Sequence, residues 1–186
     1  MTTTESEFKT YLREVFPNVD QLNHVLDICA RIYNGQQPYK KLYIFSGIGG
    51  NGKTTFINIF KEVMGHECCF STHDIATPCP ENIKLMIIDG FTDDITRESP
   101  KIMKILDENE ITIRERYSGE TKANFDIILC TNRELVLDPG MLRRTETVSF
   151  ESRFVTEPNH GQLKARDLGN KISLWAPILK SLLGTL

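Results

Sequence analysis

The residues Gly47-Ile48-Gly49-Gly50-Asn51-Gly52-Lys53-Thr54 match the spacing GxxxxGK followed by Ser or Thr at every fixed position. Glycines let the backbone turn its N–H groups inward around a phosphate, and a helix starting near Lys53 adds the partial positive charge of its N-terminus. In such a loop Lys53 reaches the β- and γ-phosphates of a nucleoside triphosphate, and Thr54 offers a hydroxyl to Mg2+. Gly47, Gly49, Gly50, Asn51, Gly52, Lys53, Thr54 and Thr55 are therefore the candidate ATP-binding residues. A glycine-rich turn that merely precedes Lys-Thr would look the same in isolation, so the flanking elements decide.

A phosphate loop needs a second acid to orient the metal, placed at the end of a neighbouring strand. Leu85-Met86-Ile87-Ile88-Asp89 supplies one, in the Walker B arrangement. Alone that pattern is common, since many buried strands end in an acid. A third apolar run, Phe125 to Cys130, ends in Thr131-Asn132, where the amide can hold an attacking water or serve as a turn residue. Arg143 and Arg144 precede a further strand that ends at Phe150. Paired arginines are usually solvated surface, but one reaching a neighbouring subunit's γ-phosphate would stabilise transition-state charge.

The elements that must position these groups read clearly. Leu42 to Phe45, Leu85 to Ile88, Phe125 to Cys130 and Thr147 to Phe150 are short apolar runs separated by helical stretches, the pattern of a parallel sheet covered on both faces. Phe56, Ile57, Phe60 and Val63 mark the helix after the glycine loop, and Ile102, Ile105 and Leu106 mark another. Ahead of them, Phe8, Tyr11, Leu12, Val15 and Phe16 keep helical spacing up to Pro17, and Leu22, Val25, Leu26, Cys29 and Ile32 do so behind Asp20 as N-cap. Trp175 falls with Ile172, Ala176 and Leu179 at core spacing, in a helix that Pro177 should kink or restart. The division expected is a helical N-terminal segment over 1–38, a core over 39–155 and a helical C-terminal segment over 156–186.

With 186 residues, 40% hydrophobic, 25% charged and a net charge of −3, the chain is an ordinary globular one. It has no run near the roughly 18 apolar residues of a membrane helix and no signal-peptide pattern at Met1 to Glu5, and its five cysteines lack a disulfide framework. A reducing compartment is expected. The cluster His66, Cys68, Cys69, His73 and Cys79 lacks zinc spacing and reads better as buried thiols. The acidic balance means that contact with nucleic acid must be local, or repeated around an oligomer.

In the order of these features the sequence resembles the superfamily 3 helicases of viruses, most closely the poxvirus-type primase–helicase ATPase domain. The Asn51-Gly52-Lys53-Thr54 form of the loop, Asp89, the Lys101 to Lys122 stretch, the Ile127 to Asn132 strand and Arg143-Arg144 before Phe150 carry the likeness. It extends through Phe154, Pro158, Arg166-Asp167-Leu168, Lys171, Ile172 and Trp175, and back through Phe8 to Gly35. The resemblance implies an α/β fold of the AAA+-like P-loop NTPase type with short helical extensions at both ends. It also implies ATP and Mg2+ as cofactors, with Thr54 and Asp89 on the metal, and Lys53, Asp89, Asn132, Arg143 and Arg144 as the catalytic set. ATP would bind between subunits of a ring, usually a hexamer, around single-stranded nucleic acid, with DNA the expected kind. A hairpin in this family carries the channel contacts. Ile111 to Tyr117, Ser118 to Thr121 and Lys122 to Phe125 read independently as one, with Arg114, Arg116 and Lys122 as its basic groups.

Two departures stand out. Gly90 follows Asp89 where many relatives carry a second acid to activate water, leaving Asp93 or Asp94 to fold back or turnover to be slow. The hairpin turn carries Glu120 where a basic residue would bind phosphate more readily. Two other readings are a small P-loop nucleoside or nucleotide kinase, for which no arginine-rich lid is evident, and a nucleotide-binding assembly module with little turnover. For the helicase reading, the expected setting is intracellular, in the host cytoplasm, a viral replication site or the nucleus. A primase domain or other replication proteins are the expected partners, and the chain would be a minimal version or a fragment of a longer protein.

Overall fold

The structure, a computed structural model, describes residues 2–36, 39–75, 83–92, 94–108 and 125–186. The chain separates into two compact units, one of Gln37–Ser46 and His66–Val148, the other of Met1–Gln36, Gly47–Gly65 and Ser149–Leu186.

The first unit is organised by its strands. β1 (Leu42–Ser46), β2 (Cys69–Thr72), β3 (Leu85–Ile88), β4 (Asp126–Thr131) and β5 (Thr145–Ser149) form a five-stranded sheet in the order β2-β3-β4-β1-β5. The ladders β2 with β3, β3 with β4 and β4 with β1 are parallel, with Ile88 beside Leu129 and Leu42 beside Ile127. Successive side chains leave opposite faces of a strand. Leu42, Tyr43, Leu85, Ile87, Ile88, Ile127, Ile128 and Leu129 are all fully buried, so both faces of the sheet are dry. That is why these strands appear as unbroken apolar runs rather than as alternation.

On one face, Leu42, Ile44, Met86, Ile88, Ile127 and Leu129 join a single core with Ile95, Ile102, Ile105 and Leu106 of α4 (Ile95–Glu108). The short α5 (Pro139–Leu142) is capped by Asp138, which accepts from the amides of Gly140 and Met141 and from the Ser99 hydroxyl at 2.7 Å. The Ser99 bond, more than the amide bonds, holds the Asp138 carboxyl below the usual carboxylate range. β2, which the apolar-run pattern does not mark, is an edge strand only half-buried along most of its length. An edge strand has little apolar surface to declare itself by.

The second unit is helical. α1 (Thr3–Val15) opens with a capping box between Thr2 and Glu5, and α2 (Val19–Asn34) is capped by Asn18. Asn18 thus takes the role expected of Asp20, because the helix begins at Val19 and the Asn18 side chain accepts from the amides of both Asp20 and Gln21. α3 (Lys53–Met64) and both N-terminal helices pack against α6 (Lys171–Leu183), and β6 (Phe154–Val155) pairs with β7 (Leu163–Lys164). Pro177 neither ends nor restarts α6. It lies exposed on the outer side of that helix, whose buried Trp175, Ala176, Leu179 and Leu183 secure both flanks of the missing N–H. Two aromatic clusters fill the unit: Phe8, Tyr11 and Trp175, with Tyr11 and Trp175 stacked at 4.8 Å, and Phe16, Phe56 and Phe150, with Phe16 and Phe150 at 4.9 Å. Among the described residues no helix is long and apolar enough to cross a membrane.

Leu129 sits in β4, between β3 and β1, with no exposed surface. Leu129→Ala should cost about 2–5 kcal/mol by emptying that site, seen as a lower urea midpoint with an unchanged slope.

Candidate functional site

In the helical unit the glycine-rich segment leads into α3, and its shape is dictated by close neighbours. Gly47 has φ +150°, and a Cβ there would stand 2.3 Å from Asn51 Nδ2 and 2.4 Å from the Phe150 carbonyl oxygen. Gly52 has φ +82°, with a Cβ position 2.9 Å from a Val15 methyl. Only glycine meets both demands. By contrast, a Cβ on Gly49 would touch nothing within 4 Å.

Asn51, 4% exposed, uses both ends of its amide. Nδ2 donates to the Phe150 carbonyl at 3.2 Å and Oδ1 accepts from the Lys53 amide at 3.2 Å. The Phe154 amide donates to the Gly50 carbonyl at 2.7 Å, and the Tyr11 hydroxyl donates to the Gly52 carbonyl at 3.4 Å. Burial pushes the Tyr11 phenol up, so it stays a neutral donor. Lys53, 6% exposed, turns its ammonium back to the Gly47 carbonyl at 3.1 Å. Its charge is therefore held over the mouth of the loop, at the N-terminal end of α3, where Gly52 offers no capping side chain and the Thr54 hydroxyl is exposed. A lysine ammonium, a glycine-rich backbone and a helix start whose N-cap residue carries no side chain together favour a multiply charged oxyanion.

A cavity of about 420 Å³ adjoins this loop within the same unit, bordered by Gly50, Gly52 and Thr55 on one side and by Tyr11, Phe154 and Trp175 on the other. The roles of Tyr11 and Phe154 were not legible in the sequence, because each lies far from the loop along the chain and bonds to its backbone rather than to a motif residue.

The sheet unit carries the remaining candidates. Asp89 follows β3, and its amide donates to the Thr72 carbonyl at 2.8 Å. The Phe91 amide donates to the Cys130 carbonyl at 2.9 Å, and the Thr131 hydroxyl to the Phe91 carbonyl at 3.1 Å. These bonds bring Asp89 and Asn132 to the same C-terminal edge of the sheet. His73, just past β2, joins them through Nδ1, which donates to the Asp89 carbonyl at 2.7 Å. In the sequence His73 stands out only as a member of a Cys/His cluster that lacks zinc spacing. Asp94 does not fold back toward Asp89. It caps α4 by accepting from the Thr96 amide and hydroxyl, and that hydroxyl bond above all lowers its pKa. Asp93 lies outside the described residues.

Arg143 and Arg144 stand elsewhere. The Arg144 carbonyl accepts from the Leu42 amide at 2.9 Å, at the start of β1, and its guanidinium donates to the Gly140 carbonyl at 3.3 Å. Four strand steps, about 13 Å, separate that end of β1 from Ser46. The arginines thus lie at the sheet edge opposite Asp89 and Asn132. Burial lowers the Lys40 pKa at this edge, against the opposing charge of Asp126.

Arg114, Arg116 and Lys122, with the whole expected hairpin turn, lie outside the described residues, as does Cys79. Among the described residues no three His, Cys, Asp or Glu side chains converge as a metal site requires. Cys68 and Cys69 are half-buried rather than fully buried thiols.

No protein-family model matches this sequence, and no curated protein does. Solved structures do share its fold. The C-terminal region of NrS-1 superposes with a TM-score of 0.69 at 13% identity, over 98% of this chain and 45% of that one. The JCV helicase superposes with a TM-score of 0.53 at 11% identity, over 81% of this chain and 46% of that one. The chain therefore has an α/β fold with a five-stranded parallel sheet, held in common with these two structures, and spans less than half the length of either.

The contacts around Gly47 yield a direct contrast. Gly47→Ala should destabilise the protein by about 1–3 kcal/mol through strain and collision, whereas Gly49→Ala should change stability by less than about 0.5 kcal/mol. Thermal or urea denaturation of the two variants side by side measures the difference.

Proposed function

We propose that this chain is the ATPase module of a superfamily 3 helicase, of the poxvirus-type primase–helicase kind, which hydrolyses ATP to move along and unwind nucleic acid as a ring, usually a hexamer. The observation that carries this reading is the glycine-rich loop at the start of α3. Its two constrained glycines and its buried Lys53, held on the Gly47 carbonyl, form a receptor suited to a triphosphate. The fold shared with the JCV helicase supports it.

In this reading the loop amides and Lys53 hold the β- and γ-phosphates, and the ammonium exchanges the Gly47 carbonyl for phosphate oxygen. Thr54 and Asp89 are hard oxygen donors of the kind Mg2+ prefers, and would hold it. When bound, that ion would help neutralise the charge that develops on the phosphates. Asn132 orients the attacking water. Arg143 and Arg144, at the opposite sheet edge of their own subunit, serve the nucleotide of a neighbour. Arg114, Arg116 and Lys122 face nucleic acid, six copies together supplying the positive field that one acidic subunit lacks.

One observation favours a second reading, an assembly module with little turnover. Gly90 follows Asp89, and Asp94 is occupied as a helix cap. ATP hydrolysis measured with and without single-stranded DNA, alongside particle size, separates the two. The helicase reading expects DNA-stimulated turnover by a ring, and turnover that is absent in a ring of normal size overturns it.

Lys53→Ala should abolish turnover while leaving the fold intact, and Asp89→Asn should lose Mg2+-dependent turnover to a similar degree. Wild-type hydrolysis in Lys53→Ala would sink the phosphate-loop assignment.

A double Arg143→Ala, Arg144→Ala variant should bind ATP normally and hydrolyse it on the order of 10³-fold more slowly. Mixed with Lys53→Ala it should recover activity, since each supplies what the other lacks. Failure to recover in demonstrated mixed assemblies rules out action between subunits.

A further inference from the structure

The segment that follows β3 is gripped from both of the strands that flank it. The carbonyls of Asp89, Phe91 and Thr92 all accept hydrogen bonds from side chains at the exits of β2 and β4. From β2 comes His73, whose Nδ1 stands 2.7 Å from the Asp89 carbonyl oxygen. A carbonyl only accepts, so this nitrogen carries the hydrogen. From β4 come the buried Thr131 hydroxyl, on the Phe91 carbonyl, and the Arg133 guanidinium, on the Thr92 carbonyl, both at 3.1 Å. Arg133 is itself fastened, its amide donating to the Thr131 hydroxyl oxygen at 3.1 Å. All of these residues belong to the sheet unit.

Asp89 depends on such a grip. Among the described residues its carboxylate accepts no hydrogen bond and joins no ion pair, so the direction it takes is governed by its main chain. Directly after it the chain turns at Gly90, with φ +70°, and a glycine leaves the backbone loose unless something outside it holds on. His73 holds before the turn, Thr131 and Arg133 after it. Asn132 lies between Thr131 and Arg133 in the chain, so Asp89 and Asn132 are carried on one hydrogen-bonded unit. The bonds of His73 and Arg133 are exposed, where competition with water leaves them little weight in overall stability. Their effect is on direction, to which a carboxylate meeting a cation is sensitive over fractions of an ångström.

We propose that His73 and Arg133 are positioning residues for Asp89, holding the main chain on either side of the Gly90 turn so that the carboxylate is aimed at the metal of the bound nucleotide. The inference rests on the reading above in which Asp89 holds Mg2+, and adds to it the side chains that direct the acid. The imidazole serves through its Nδ1–H alone. A side chain that places an N–H donor at the same point therefore replaces it, and an apolar one of similar size does not.

The full chain is compared with His73→Leu, His73→Asn, Arg133→Met and Asp89→Asn. For each, electron paramagnetic resonance gives the Mn2+ affinity of the ADP-bound protein, calorimetry gives ADP affinity in EDTA, and steady-state kinetics give kcat and KM for ATP. His73→Leu and Arg133→Met should each weaken Mn2+ binding and lower kcat by about tenfold. ADP affinity in EDTA and the urea midpoint should stay close to wild type in both, which shows the chain still folded. His73→Asn sets its amide N–H where Nδ1 stands, and should bind Mn2+ and turn over near the wild-type level. Undiminished Mn2+ affinity in either His73→Leu or Arg133→Met, beside a clear loss in Asp89→Asn, overturns the proposal. So does His73→Asn failing as badly as His73→Leu, or a loss of ADP affinity in EDTA equal to the loss for Mn2+. Should Asp89→Asn itself bind Mn2+ as tightly as wild type, the assignment of Asp89 to the metal falls, an outcome distinct from failure of the clamp alone.

Discussion

The amide of Asn51 is the constraint on which the glycine-rich loop depends. Buried at 4% exposure, it must satisfy both its donor and its acceptor within the protein, and does so on the Phe150 carbonyl and the Lys53 amide. One side chain therefore fixes the loop to the strand exit at Phe150 and to the first residue of α3. The same packing leaves no room for a Cβ on Gly47, and the Phe154 and Tyr11 bonds to Gly50 and Gly52 close the loop from two further directions. Its shape is set by partners drawn from near both ends of the chain, which makes the terminal segments part of the loop's support and not appendages to it.

The sheet imposes a complementary order. Parallel strands put all their C-terminal ends on one edge, so any residue that follows a strand by one position arrives there regardless of distance along the chain. Asp89, Asn132 and His73 obey that rule. Arg143 and Arg144 precede their strand, and the same rule sends them to the other edge.

This geometry also accounts for what was legible beforehand. The strands β1, β3 and β4 were readable because burial on both faces forces continuous apolar runs, and Gly47 and Gly52 of the motif because their positions allow no side chain. The loop's supports were not. Tyr11 and Trp175 have the spacing of ordinary core residues, and nothing local distinguishes an aromatic that fills a core from one that also borders a cavity. His73 touches only a backbone carbonyl, an interaction without a residue code. β2 was hidden by its half-buried edge position, and the continuity of α6 through Pro177 depends on tertiary packing that outweighs the lost hydrogen bond.

The placement of the arginines bears on assembly. The pair stands at the N-terminal end of β1, about 13 Å from Ser46 at its other end, whereas an extended arginine side chain spans only about half that distance. In the function proposed, a neighbouring subunit supplies its arginines to the C-terminal edge of this subunit's sheet, which needs no such reach. Such a contact is head-to-tail, and repeated with a fixed rotation it closes into a ring or continues as a helix. In the function proposed, closure would follow from the chemistry, since a ring is the arrangement in which every subunit both receives arginines and supplies them.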